Sequence, residues 1–154
     1  MKHKELNIDQ MLELARGHAE TVLRMGMQIM PVFALQGPGG LSIHGCPWKN
    51  DEEKEMMGTG IRQEIKRQKI SRYSFTCEAW ALELKSSEEF HLRPSKDPRR
   101  IEVVIVLAVD RHQRIFRQWK IERDAQGRFT ELTPSKQEKG AFESWMADLL
   151  KEDQ

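Results

Sequence analysis

Cysteine is scarce in this chain. Only Cys46 and Cys77 occur in 154 residues, with thirty residues between them. That spacing excludes a disulfide framework and a zinc ribbon. No apolar run reaches the length of a membrane span, which needs about 20 residues. The longest, Ile101 to Val109, has nine. No charge of one sign dominates either: 25 Lys/Arg meet 24 Asp/Glu, for a net charge of +1. Global charge therefore selects neither a nucleic acid nor an acidic partner. No basic start leads into an apolar stretch, so the expectation is a soluble cytoplasmic protein with no membrane partner. The cluster Gly37-Pro38-Gly39-Gly40 is followed by Leu41-Ser42 and lacks the Gly-Lys-Ser/Thr ending of a phosphate loop. Flanked by alternating residues, it reads as a hairpin turn.

What is present suits one compact α+β domain over residues 1–154, large enough to bury about 68–70% of its unfolded surface. Hydrophobic residues make up 38% of the chain and four tryptophans help fill the core, while 32% charged residues give an ionic surface. Ile101 to Val109 is rich in β-branched residues and flanked by polar turn formers, which predicts an interior strand buried on both faces.

Asn7 and Gln10 form a capping box, after which Ile8, Met11, Leu12, Ala15, Ala19, Val22 and Leu23 recur at helical spacing up to Gly26. Met27–Leu35 and Leu41–His44 read as a hairpin, with Pro31 placing its first strand at or near a sheet edge. Asn50 and Glu53 form a second capping box, with Met57, Ile61 and Ile65 as a buried stripe. Gly58-Thr59-Gly60 either breaks this helix or delays its start to Thr59. In the strand after Arg72, Tyr73, Phe75, Cys77 and Ala79 share one parity; Trp80, Leu82 and Leu84 share the other. A bulge near Ala79 brings both sets to one face. Residues 86–98 form a loop stiffened by Pro94 and Pro98. Gln113–Arg123 turns Ile115, Trp119 and Ile121 inward and, through Asp124-Ala125-Gln126-Gly127, enters a strand at Arg128–Leu132. Ser135 to Glu138 is a third capping box, opening a helix with Phe142, Trp145, Met146, Leu149 and Leu150 on its apolar face. The predicted order is α-β-β-α-β-β-β-β-α, one antiparallel sheet of about six strands with helices on at least one face.

Chemistry-bearing residues are few. His44 and Cys46, two apart on an extended segment, can point the same way and offer an imidazole beside a thiol, the basis of a small Cys/His-dependent enzyme. No third orienting group accompanies them, and two ligands do not make a metal site. His18 lies on the helix-one stripe and reads as a packed or rim residue. Glu64-Ile65-Lys66 and Glu83-Leu84-Lys85, with Asp51 upstream, resemble parts of a restriction-type nuclease core, in which two carboxylates hold magnesium and a lysine supports the attacking water. Asp51, however, falls at a helix start and not at a strand end. The α-β-β-α opening is similar in outline to metal-dependent isopeptidase (JAMM-type) domains. Their His-x-His and downstream Ser-x-x-Asp are missing, so no activity follows.

Charge is unevenly placed. Residues 61–72 carry five basic side chains against Glu64, and residues 91–128 carry ten against five acids. Arg93, Lys96, Arg99 and Arg100 precede the central strand, while Arg111, His112 and Arg114 follow it. Strand length separates the two groups by roughly 25–30 Å. Arg114, Phe116, Gln118 and Lys120 share the outer parity of the next strand, and such a surface can stack a base or dock a protein. Tyr73, Glu78-Ala79-Trp80, Asp97-Pro98-Arg99-Arg100 and Glu102 resemble the pattern of small uncharacterised bacterial and phage proteins. That resemblance implies no activity.

The expected function is a non-catalytic protein-binding domain, such as a phage-type regulator or inhibitor. It needs no metal or cofactor, and its contact surface comprises Arg93, Lys96, Arg99, Arg100, Arg111, Arg114 and Phe116. For the competing nucleic-acid reading of region 93–114, separated cations predict only weak association that fades as salt rises.

Overall fold

The computed structural model describes residues 5–81, 100–135 and 149–150. Its elements are α1 (Ile8–Arg24), β1 (Val32–Gly37), β2 (Gly40–Gly45), α2 (Asp51–Gln68), β3 (Arg72–Ala81), β4 (Ile101–Asp110), β5 (Arg114–Arg123) and β6 (Phe129–Pro134). All six strands join one antiparallel sheet in the order β2-β1-β3-β4-β5-β6. The α+β class and the predicted element order are observed through β6. The expected last helix lies outside the described residues apart from Leu149 and Leu150.

Central placement of β4 follows from its composition. Val103, Val104, Val106, Leu107, Ala108 and Val109 are all buried. Alternation divides them between two cores. Val104, Val106 and Ala108 meet Ile8, Leu12, Ala15, Ala19 and Leu23 of α1. Leu107 and Val109 meet Phe33, Leu35, Tyr73, Phe75, Ile61, Ile65 and Leu149 on the other face. Each buried aliphatic of this kind contributes about 1.5–3 kcal/mol. The sheet is therefore covered by α1 on one side and by α2 with Leu149 on the other.

Helix α1 begins as its sequence predicts, with the Asn7 side chain accepting from the Gln10 N–H and Gln10 reaching back to the Asn7 N–H. Its N-terminal approach is tied to the sheet. The amide oxygen of buried Gln36 accepts from the Leu6 N–H at 3.5 Å, and Arg72 donates to the Leu6 carbonyl. Helix α2 runs unbroken through Gly58-Thr59-Gly60, against the expected interruption. Two helical glycines cost about 1 kcal/mol each. The Asn50 cap, three acids in the first turn and burial of Gly58, Ile61 and Ile65 keep the helix continuous. Glu53 does not close a capping box on Asn50; its carboxylate accepts from the Lys49 N–H instead.

Three further expectations are corrected. Strand β1 starts only after Pro31, at Val32 and not at Met27, although it does lie near the sheet edge as expected, one strand in from β2. The β3–β4 register is unbroken from Arg72↔Asp110 to Ala81↔Ile101, so no bulge occurs near Ala79. Trp80 consequently stays on the α1 side, past the end of the helix, and is 42% exposed. Strand β6 begins one residue late because the Arg128 N–H is taken by the Asp124 carboxylate, in a turn completed by Gly127 at φ +81°. At the other hairpin, a Cβ on Gly37 would sit 2.8 Å from the Gln68 carbonyl oxygen, so β1 meets the end of α2 only as glycine.

Phe33 is fully buried, with its ring 4.8 Å from Phe75 and 6.3 Å from Tyr73. Phe33→Ala is expected to destabilise the fold by about 3–5 kcal/mol in urea unfolding. A loss under about 1 kcal/mol would show that the α2-side core does not rest on this ring.

Candidate functional site

The residues proposed from sequence fall into separate places. Arg93, Lys96 and Arg99 lie outside the described residues. Arg100 precedes β4 and carries its guanidinium over the Trp80 ring, 4.7 Å from the centroid. Arg111 and Arg114 flank the β4–β5 turn, a strand length away, roughly 30 Å. Phe116 is half-buried on the α2 side of β5. Among the described residues the cations therefore form no continuous basic face.

Trp80, with Arg100 stacked on its ring, lines a cleft at the end of the sheet, beyond the C-terminus of α1. Its walls are Gln28, Ile29, Glu78, Ala79, Trp80, Glu102 and Arg123, around a volume of about 430 Å³. Sheet register builds it: Trp80 stands opposite Glu102, and Glu78 lies diagonal to Glu102 on the same face. Both carboxylates are oriented. Glu78 accepts from the Ile29 N–H at 2.8 Å. Glu102 accepts from the Arg123 guanidinium at 2.9 and 3.2 Å. The result is an exposed indole with a stacked cation, rimmed by fixed charges of both signs. Those are elements of recognition. Among the described residues no group of three or more His, Cys, Asp or Glu side chains is placed to hold a metal ion.

A second concavity, of about 390 Å³, is lined by Val109, Asp110, Arg111, His112, Gln113, Arg114 and Leu150. Asp110 shapes its turn by accepting from the N–H groups of His112 and Gln113 at 2.7 and 2.8 Å. Burial pushes the Asp110 carboxyl up, but these two N–H donors and the Arg72 and His112 charges outweigh it and hold the group below its usual 3.8.

The structure does not join His44 to Cys46. Cys46 is buried in the α2-side core, its Sγ directed at the His44 carbonyl oxygen at 3.7 Å. Burial raises its pKa. The His44 ring instead meets Ser42 Oγ at 3.0 Å, and Ser42 continues to Gln68 and then Glu64. This string fastens β2 to α2. Hydrogen bonds from Arg67 and Gln68 pull the Glu64 carboxyl down to about 2. Glu64 and Lys66 stand near the end of α2 opposite from Asp51, and Glu83 and Lys85 lie outside the described residues, so no nuclease-like cluster forms among those described. His18 sits exposed on the rim of an apolar groove beside α1.

Sequence reasoning missed the Trp80 cleft because the imagined bulge buried Trp80. The signal was available in the parity: Tyr73, Phe75, Cys77 and Ala79 face one core, which leaves Trp80 on the opposite side, past the end of α1.

No helix among the described residues is long and apolar enough to cross a membrane. Comparison with family models, with curated proteins and with solved structures returns no match.

Two outcomes follow from this geometry. Burial lifts Cys77 to about 11, with the Glu78 charge adding to it. Both thiols should then react with a disulfide reagent at neutral pH far more slowly in the folded protein than after unfolding; rapid labelling of folded Cys46 would reopen the thiolate reading. Because the folded pKa of Asp110 is depressed, its contribution is full above the unfolded value and is lost as pH falls through the folded one. Wild type should therefore lose more stability than Asp110→Asn in urea melts between about pH 5 and pH 2. Equal losses would show that the turn does not depend on this carboxylate.

Proposed function

We propose that this chain is a non-catalytic protein-binding domain, of the regulator or inhibitor kind, whose contact surface is centred on Trp80 and Arg100. The observation that carries this reading is Trp80 itself, 42% exposed with the Arg100 guanidinium on its ring. Tryptophan and arginine are the residue types that dominate protein–protein binding energy when a partner covers them. Here Trp80 lines a concave site where Glu78, Glu102 and Arg123 supply a polar rim, and Arg100 stacks on its ring. Arg93, Lys96 and Arg99 lie within seven residues before Arg100 in the chain and are part of the same proposed contact. Both cysteines are unpaired, in keeping with a cytoplasmic setting.

The test uses immobilised wild-type protein and the variants Trp80→Ala and Arg100→Glu, each challenged with a bacterial lysate. Both positions are exposed, so the melting temperatures should stay near that of wild type. The expected result is a stoichiometric protein captured by wild type and weakened at least tenfold by either variant, which is about 1.4 kcal/mol. Capture unchanged in both variants, or a small molecule copurifying with no protein partner, would overturn the proposal.

A further inference from the structure

Among the described residues, the two edges of the sheet are built differently. Edge strand β6 carries Glu131 and ends in Pro134, and its pairing with β5 is interrupted by an irregularity at Glu122/Arg123. Charge, proline and bulges are the usual devices that stop an edge from pairing with another chain. Edge strand β2, Gly40-Leu41-Ser42-Ile43-His44-Gly45, has no Asp, Glu, Lys, Arg or Pro, and its register with β1 is continuous from Gly37↔Gly40 to Val32↔Gly45.

The outward backbone groups of β2 can be assigned. The Cys46 N–H bonds to the Pro31 carbonyl at 2.7 Å, continuing the ladder with β1. Antiparallel ladders alternate, so Gly40, Ser42 and His44 turn their backbone groups toward β1 while Leu41, Ile43 and Gly45 turn theirs outward. Leu41 and Ile43 are also 40% and 56% exposed, on the α1 side of the sheet. There they border an apolar groove of about 220 Å³ with Leu14, Val32 and Ala34.

We infer that β2 pairs with β2 of a second copy of this chain across a twofold axis, forming a homodimer with one continuous twelve-stranded sheet. The occupant is specified by β2 itself. A strand added here must be uncharged, apolar toward the groove and polar toward α2, and β2 has that pattern: Leu41 and Ile43 on one face, Ser42 and His44 on the other. Antiparallel pairing about Ser42 sets Leu41 of each copy opposite Ile43 of the other. Each such pair exchanges reciprocal backbone hydrogen bonds through the groups that point outward. Leu14, Leu41, Ile43 and Met30, whose sulfur lies against Gly45, are 40–56% exposed and form the apolar part of this margin. These side chains supply the apolar part of the roughly 800 Å² that each partner gives to a standard interface. Strand backbone and flanking polar groups supply the rest. This inference is independent of the Trp80 surface, which lies on β3 and β4.

Sedimentation velocity on the full chain tests it. Wild type should be dimeric at about 100 μM and dissociate on dilution below the micromolar range. Ile43→Pro removes only an outward N–H, so the β1–β2 ladder survives while the intermolecular bond is lost. Ile43→Lys leaves the backbone intact and adds a charge at the edge. Both variants should sediment as monomers, with far-UV circular dichroism unchanged for Ile43→Lys. A wild-type monomer at about 100 μM, the result expected if β2 is unoccupied or reserved for a strand of another protein, would overturn the inference. So would an Ile43→Lys variant that remains dimeric.

Discussion

Everything in this molecule depends on β4 being buried on both faces. A strand whose alternate residues are all apolar must be covered twice, and helices on opposite sides of a sheet are the available covers. Val104, Val106 and Ala108 recruit α1, while Leu107 and Val109 recruit the aromatic group of Phe33, Tyr73 and Phe75 with α2 and Leu149. Tyr73 extends this dependence to the end of the chain, since its hydroxyl accepts from the Leu149 N–H at 3.4 Å. Burial extends through β3 to β1, where Phe33 to Gly37 are buried, whereas β5 and the outer strands β2 and β6 keep side chains in solvent.

Function is best sought at that margin. Covering the middle of a sheet with a seventeen-residue helix leaves uncovered whatever the helix does not reach. At the end of β3 and β4 it leaves Trp80 with Arg100, Glu78 and Glu102. Beside β2 it leaves Leu41 and Ile43. Both sets follow from the same constraint: the stable centre is buried, and on the α1 face of the sheet Trp80, Leu41 and Ile43 stay exposed where α1 ends or does not extend. A rigid sheet holding such groups in fixed positions lowers the ordering cost of binding.

The elements nearest β4 were the most legible in the sequence. The nine-residue run, the Asn7 capping box and the α1 stripe are strong local signals, and tertiary packing agrees with each. Gly58-Thr59-Gly60 misled because helix propensity is a small penalty against the burial of Ile61 and Ile65. Trp80 misled for a related reason. A large aromatic suggests a core, which only a bulge would give it, whereas the plain alternation places it on the uncovered side. Neither the Arg100–Trp80 stack nor the Glu102–Arg123 pair was readable in advance, because strand register is a long-range property that no local pattern encodes. His44 and Cys46 were legible as residues but not as structure: the turn of β2 onto α2 sends one to Ser42 and the other into the core.

Native-state hydrogen exchange followed residue by residue is the most direct measurement of this hierarchy. If β4 is the element on which all else rests, amides from Val104 to Ala108 exchange only through global unfolding and show the full unfolding free energy. Amides of β2 and of the α1–β1 connection exchange through smaller openings, at visibly lower free energies. Protection in β2 equal to or greater than that in β4, measured on the monomeric protein, would contradict the account.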